Sequence, residues 1–173
     1  MDIQIIDNET LKVKVKKTNL AINPKTKISK FEADAVLAID KDSDSSRINE
    51  SRVTITGAGE YEVSGLKISG IKSDENMLFG LSSENVGMLI AKASSLEKTS
   101  SDKLGDYQIV VINADFDLNQ SLITALEPRL VILYGEKKKE AAKVLGKENA
   151  TTSSKISISE DKLPEELEVM LLG

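Results

Sequence analysis

The sequence predicts a mixed α/β domain of stacked sheets with few helices. Three observations predict it. Short alternations of apolar and polar residues crowd the first half, beginning at 3–5 and 11–15, and alternation of this kind marks half-buried strands. Nearly continuous apolar runs at 33–39, 107–113 and 130–133 read as strands buried on both faces. Helix signals occur only late, at 117–126 and 136–145, where they alternate with strands. An antiparallel-rich start followed by a β-α-β-α crossover is the order of a stacked-sheet α/β domain, expected here to span 1–173 as one unit.

Each element has its own warrant. The strands at 3–5 and 11–15 are joined by a turn around Asp7 and Asn8, and a third strand at 19–23 is stopped by Pro24. The apolar run 33–39 is followed by a polar loop from Asp40 to about Glu50. Short strands are expected at 52–56, 60–63, 66–71, 77–81 and 88–91, punctuated by glycines, with a hairpin turn at 63–66. In the last third, Asp117 is placed to cap a helix that ends before Pro128, and Gly146 follows the second helix where a left-handed residue is wanted. Strands at 154–159 and 167–171 close the chain.

Composition excludes several chemistries. The 173 residues contain no cysteine and no histidine. Disulfides, thiol nucleophiles, thiolate metal sites, Ser-His-Asp catalysis and imidazole-ligated metals are all ruled out. Lys and Arg number 23 against 28 Asp and Glu, a net charge of −5, which disfavours nucleic acid and anionic membrane as partners. The basic clusters Lys12/Lys14/Lys16/Lys17, Lys25/Lys27/Lys30 and 137–139 read as solvated faces. No basic, apolar leader opens the sequence and no apolar stretch approaches ~18 residues, so the expected location is the cytoplasm.

Several segments together carry a resemblance. Leu20-Ala-Ile-Asn-Pro24 resembles an "ILIDP" strand. Ala33-Asp-Ala-Val-Leu-Ala-Ile-Asp40-Lys-Asp42-Ser-Asp44-Ser45 resembles a strand and metal loop of the form "ADLVLiTHxHxDH". Gly57-Ala-Gly-Glu-Tyr-Glu-Val-Ser-Gly-Leu-Lys-Ile-Ser-Gly-Ile71 closely resembles a "GPGEYEVxGvxixGi" hairpin, and Pro128-Arg-Leu-Val-Ile132 a "PkvvIP" strand. Leu163-Pro-Glu-Glu-Leu-Glu-Val-Met-Leu-Leu fits the closing strand. These are segments of the metallo-β-lactamase superfamily, in their order, and the hairpin resembles the branch of ascorbate-phosphate lactonase and related small hydrolases. The resemblance implies an αβ/βα sandwich, here with reduced helices, and a metal-dependent hydrolase ancestry.

The same resemblance shows what has been lost. The family builds a two-metal centre from His-x-His-x-Asp-His, a second Asp and further His. Here the two leading His positions are Asp40 and Asp42, the Asp is kept as Asp44, and the last His is Ser45. The stretch that supplies a His and a bridging Asp aligns near 91–95, the His after the "PkvvIP" strand aligns near Gly135, and the Gly-His signature after the first strand reads Asp7-Asn8-Glu9. Without imidazoles, a zinc centre that ionises water cannot assemble in the family's manner. Fold likeness alone therefore does not carry the activity. The expected function is a non-catalytic pseudoenzyme acting as a binding or interaction protein, with no zinc or other cofactor. Its partner would be another protein or a second copy of itself.

Two alternatives stay open. Asp40, Asp42 and Asp44 have the spacing that begins a calcium loop, so an oxygen-only Mg²⁺, Mn²⁺ or Ca²⁺ site could support a hydrolase or a metal binder. Against it, Ser45 stands where calcium loops want Gly, and Ser51 where they want Glu, with Glu50 one residue off. The second alternative is a structural homo-oligomer subunit pairing through sheet edges. Other constellations read as structural. Glu60 and Glu62 flank Tyr61 within the hairpin, Gly57-x-Gly59 lacks the helix a phosphate loop needs, and Ser94, Ser95, Ser100 and Ser101 lack spacing to Lys92, Lys98 or Lys103. Tyr134 is expected to fill part of the vacated pocket.

Overall fold

A computed structural model describes residues 1–84 and 86–173. In chain order its strands begin with β1 (Asp2–Ile5), β2 (Leu11–Val15), β3 (Thr18–Ile22), β4 (Phe31–Glu32), β5 (Ala35–Leu37), β6 (Ile48–Asn49) and β7 (Val53–Ile55). The middle of the chain supplies β8 (Gly59–Val63), β9 (Leu66–Ser73), β10 (Asn76–Ser82) and β11 (Gly87–Lys92). The last third supplies β12 (Ile109–Asn113), β13 (Leu130–Tyr134), β14 (Thr152–Ser153), β15 (Lys155–Ser157) and β16 (Glu168–Leu172). Three short helices, α1 (Ala93–Glu97), α2 (Gln120–Leu126) and α3 (Lys138–Val144), lie among them.

The strands form two large sheets. One has the order β15-β1-β2-β3-β5-β7 and the other β14-β16-β13-β12-β11-β10-β9-β8, with a separate β4-β6 ribbon. The second sheet is antiparallel from β8 to β11 and parallel from β11 through β12 and β13 to β16. The inward faces meet in an aliphatic core. Val13, Leu20, Leu37 and Ile55 from the first sheet pack with Ile68, Phe79, Ile90, Val111 and Ile132 from the second. Each such side chain, once buried, contributes about 1.5–3 kcal/mol of transfer free energy.

Among the described residues, helices cover one side only. Leu96 of α1, Ile123 of α2 and Ala141 and Ala142 of α3 pack on the outer face of the second sheet, against Leu89, Val110, Ile112 and Val131. The outer face of the first sheet carries small residues, Ala21 and Val36, closed over by Ala33 and Ile48 with Phe31 of the β4-β6 ribbon. Among the described residues no α-helix packs there. The helical reduction read from the sequence is thus concentrated on one side of the sandwich.

The hairpin at 63–66 forms as expected. Ser64 and Gly65 both take positive φ, 51° and 82°, which suits the twist of a two-residue connection. The motif around it has a physical reason. The Tyr61 hydroxyl donates to the Gly57 carbonyl at 3.0 Å, and that same carbonyl lies against Gly70 of β9.

Some boundaries differ from expectation. The helix expected from Asp117 begins at Gln120, because Asn119 accepts from Ser121 N and caps it, while Asp117 pairs with Lys137 instead. The strand expected at 154–159 forms over Lys155–Ser157 as β15, antiparallel to β1 in the first sheet, and just before it the unexpected β14 runs parallel to β16 in the second. The run 33–39 is regular only at Ala35–Leu37, but Ala38 and Ile39 stay buried. Their main chain bonds onward, Ala38 N to Ile55 O and Ile39 O from Met77 N of the second sheet. No helix of the described residues is long and apolar enough to cross a membrane.

Candidate functional site

Three parallel strands end together in a polar row. Lys92, Asn113 and Tyr134 are in register at the C-terminal ends of β11, β12 and β13. They sit two residues beyond Ile90, Val111 and Ile132, so strand alternation turns all three toward the gap between the sheets. Crevices at the carboxyl ends of parallel strands are the usual ligand positions of α/β sheets.

The first sheet answers this row from the other side. Its β3 is followed by Asn23, a fully buried residue in the left-handed region at φ 50°, then Pro24 and Lys25. The Asn23 carbonyl accepts from the Thr10 hydroxyl at 3.1 Å. Its amide faces Asp40: Nδ2 donates to Asp40 Oδ2 at 3.0 Å, and Asp40 N donates to Asn23 Oδ1 at 3.3 Å. Asp40 therefore points inward, locked to the end of β3.

Two lysines converge on that carboxylate. Lys25 Nζ lies 2.7 Å from Oδ1 and Lys92 Nζ 2.7 Å from Oδ2. Lys25 also reaches Glu9 at 3.0 Å, so Glu9, Lys25, Asp40 and Lys92 form a chain of alternating charge that sums to zero. Exposures of 9% for Asp40, 15% for Lys92 and 19% for Lys25 place the inner pairs in the buried regime. Each Asp40 oxygen has two donors: Lys25 and Asp42 N on Oδ1, Lys92 and Asn23 on Oδ2. An ionised carboxylate has about four lone-pair sites, so its acceptor capacity is filled.

The electrostatics follow. Burial pushes the Asp40 carboxyl up, but hydrogen bonds from Lys25, Lys92 and Asn23 outweigh it and hold the group well below the ordinary aspartate range. Burial disfavours the Lys25 ammonium, yet its bonds to Asp40 and Glu9 leave it a weaker acid than an ordinary lysine. Burial above all, then the carboxylates of Asp115, Glu9, Asp40 and Asp7, drive the Tyr134 hydroxyl far up, so it stays neutral. That hydroxyl is buried and has no hydrogen-bond partner among the described residues.

A cavity of about 170 Å³ opens beside this ion-pair chain, bounded by Asn8, Glu9, Lys92, Asn113, Asp115 and Glu136. Asp115 is turned toward α1, accepting from Ser94 N at 3.1 Å and from Ser94 Oγ at 2.6 Å.

The three aspartates of the sequence reading part company. Asp40 faces inward to the lysines, the exposed Asp42 gives its N–H to Asp40, and Asp44 caps the turn 45–47 by accepting from Ser46 N. Among the described residues no group of three or more acidic side chains converges as a metal cluster. The structure brings together Asp40 with Lys25, Lys92 and Asn23 instead. Lys25 departs from the solvated reading of its cluster, whereas Lys27 and Lys30 are exposed. Ser94 pairs with Asp115 rather than with a lysine, and Glu60 and Glu62 lie exposed on β8.

Solved structures share this architecture along its length. A candidate Zn-dependent hydrolase of the metallo-β-lactamase superfamily from Thermotoga maritima superposes with a TM-score of 0.73 at 14% identity, covering 99% of this chain and 98% of that one. The fold is that of the metallo-β-lactamases. Igni18, a metallo hydrolase from the archaeon Ignicoccus hospitalis, matches with a TM-score of 0.61 at 11% identity over 99% of this chain and 95% of its own. YhfI, a metallo-β-lactamase fold protein from Bacillus subtilis, matches at 0.59 and 8% identity over 98% and 95%. No protein-family model and no curated protein sequence matches the chain.

The metal that this fold implies does not fit the residues present. Zinc in such sites wants imidazole or thiolate with carboxylate, and this chain has neither histidine nor cysteine. The one inward carboxylate already carries four donors, two of them ammonium groups. A dication there would have to displace a lysine and would face the charge of the other.

Proposed function

We propose that this protein is a non-catalytic member of the metallo-β-lactamase fold that works by binding at the cleft between its sheets. The saturated Asp40 carboxylate carries the reading. It lies in the loop that resembles the family's metal loop, and the ammonium groups of Lys25 and Lys92 stand on it in place of a metal. Two cations fixed on one anion give the region a settled charge without a metal ion. The absence of every histidine from the sequence supports the same view, because no general base of that kind is at hand.

The test pairs a melting titration with an assay. Zn²⁺, Mn²⁺, Mg²⁺ and Ca²⁺ at millimolar concentration are expected to leave Tm unchanged, since a ligand at 100 times its Kd adds about 2.7 kcal/mol and would shift Tm by several degrees. Phosphodiester and lactone substrates are expected to show no metal-dependent turnover. A rise in Tm that Asp42→Ala abolishes, or turnover that scales with added metal, would overturn the reading.

A further inference from the structure

We infer that β7, an open edge of the first sheet, pairs antiparallel with β7 of a second copy of this chain. The inference goes beyond the cleft and does not depend on its proposed role. The two large sheets end in four edge strands, β15 and β7 of the first, β14 and β8 of the second. Such edges invite another strand unless charge, proline or very short length blunts them. Three of the four are blunted. β14 has only Thr152 and Ser153. β15 carries Lys155, exposed and paired with Asp2. β8 carries Glu60 and Glu62, both exposed. β7 lacks these charges. From Val53 the chain reads Val-Thr-Ile-Thr, four β-branched residues without charge or proline.

The main chain of β7 is placed for pairing. Ala38 N donates to the Ile55 carbonyl, which therefore faces β5. Successive residues of a strand turn their main-chain groups to opposite sides, so the Thr54 N–H and C=O point away from the sheet. Neither meets another main-chain group among the described residues. Thr54 is exposed, and Val53 beside it is 40% exposed. This edge also fits itself. A two-fold axis at Thr54 sets it opposite Thr54 of the second copy, each N–H donating to the other's carbonyl. Val53 then lies opposite Ile55, and Arg52 opposite Thr56, of the second copy. No like charges meet, and Thr–Thr and aliphatic pairs are favourable across strands. The same operation on β8 about Tyr61 sets Glu60 against Glu62 of the second copy twice, which repels. Charge thus selects β7 over β8, and an uncharged edge offers a charged peptide nothing. The contact is isologous, so it closes at two chains.

Sedimentation equilibrium between about 20 µM and about 1 mM tests this. So short an edge buries less surface than a stable dimer needs, so weak association is expected, the mass rising toward two chains at the top of that range. Thr54→Pro removes the outward N–H at an edge, where proline is tolerated. Val53→Lys puts charge on the edge at a position already exposed. Each is expected to weaken association about tenfold or more, with cooperative urea unfolding kept. Should Thr54→Pro fail to fold, Val53→Lys carries the test. Exchange of the Thr54 amide hydrogen is expected to slow as concentration rises. A single-chain mass throughout, association that the folded variants retain, growth beyond two chains, or Thr54 exchange independent of concentration would overturn the inference. None of these results touches the metal titration, so this inference and the non-catalytic reading fail separately.

Discussion

Lys25, just after β3, and Lys92, at the end of β11, each set an ammonium 2.7 Å from a different oxygen of Asp40. The three charges depend on one another. Asp40→Asn keeps the shape but leaves two half-buried ammonium groups without their anion. It is expected to lower unfolding free energy in urea by about 3 kcal/mol, the scale for breaking a buried pair. The triple change Lys25→Met, Asp40→Leu, Lys92→Met removes all three charges but leaves the buried Asn23 amide without its acceptor, so it is expected to cost about 1–2 kcal/mol, less than Asp40→Asn. A triple variant as damaged as Asp40→Asn would show that the charges stabilise the fold beyond mutual compensation.

Acid should find the same group. The folded Asp40 ionises below its ordinary value of 3.8. Its contribution is fully present above that value and is lost as pH falls through the lower folded value. Unfolding free energy, measured from pH 6 downward, is therefore expected to decline below about pH 4, and less steeply in the triple apolar variant. Lys25 acts at the other extreme: with its folded value raised above 10.5, its contribution is present below 10.5 and lost as pH rises through the raised value.

Tyr134→Phe removes a fully buried hydroxyl that has no partner among the described residues. Removing an unpaired buried polar group relieves its desolvation, so the variant is expected to be as stable as the parent or more so, by up to about 1 kcal/mol. A loss of about 1 kcal/mol or more in calorimetry would mean that the hydroxyl is hydrogen-bonded, through water, in solution.

At the far edge of the second sheet, Gly70→Ala would bring a Cβ to 2.6 Å from the Gly57 carbonyl oxygen. Backbone cannot yield as a side-chain tip can, so a cost of about 2 kcal/mol in urea denaturation is expected. Tyr61→Phe, which removes only the donor to that carbonyl, is expected to cost about 1 kcal/mol.

Much of the fold was legible because it is written locally. The apolar runs at β12 and β13, the alternation of β2 and the Ser64-Gly65 turn need no tertiary context. What failed locally was decided elsewhere. Helix α1 has no side-chain cap at Lys92 and is only five residues long, so packing of Leu96 on the sheet defines it. The 152–157 segment changes sheets between Ser153 and Lys155, which hydropathy does not record. The site shows the same division. Asp40 stood out in an acidic loop, but its partners Lys25 and Lys92 belong to different stretches, and only the stacking of the sheets makes them neighbours. One signal was present: Lys92 and Asn113 are polar residues ending otherwise apolar strands.

The Lys92–Asp40 contact ties the end of β11 in the second sheet to the loop that follows β5 of the first. It closes only when β5 and β11, formed from separate stretches, have already docked. An interaction completed after the folding barrier leaves the refolding rate alone and slows unfolding. Stopped-flow chevrons of Lys92→Met are thus expected to keep the refolding arm and raise the unfolding arm. The clasp would then set how long the folded chain lasts between openings, and with it the exposure of this sandwich to proteolysis, rather than how fast it forms.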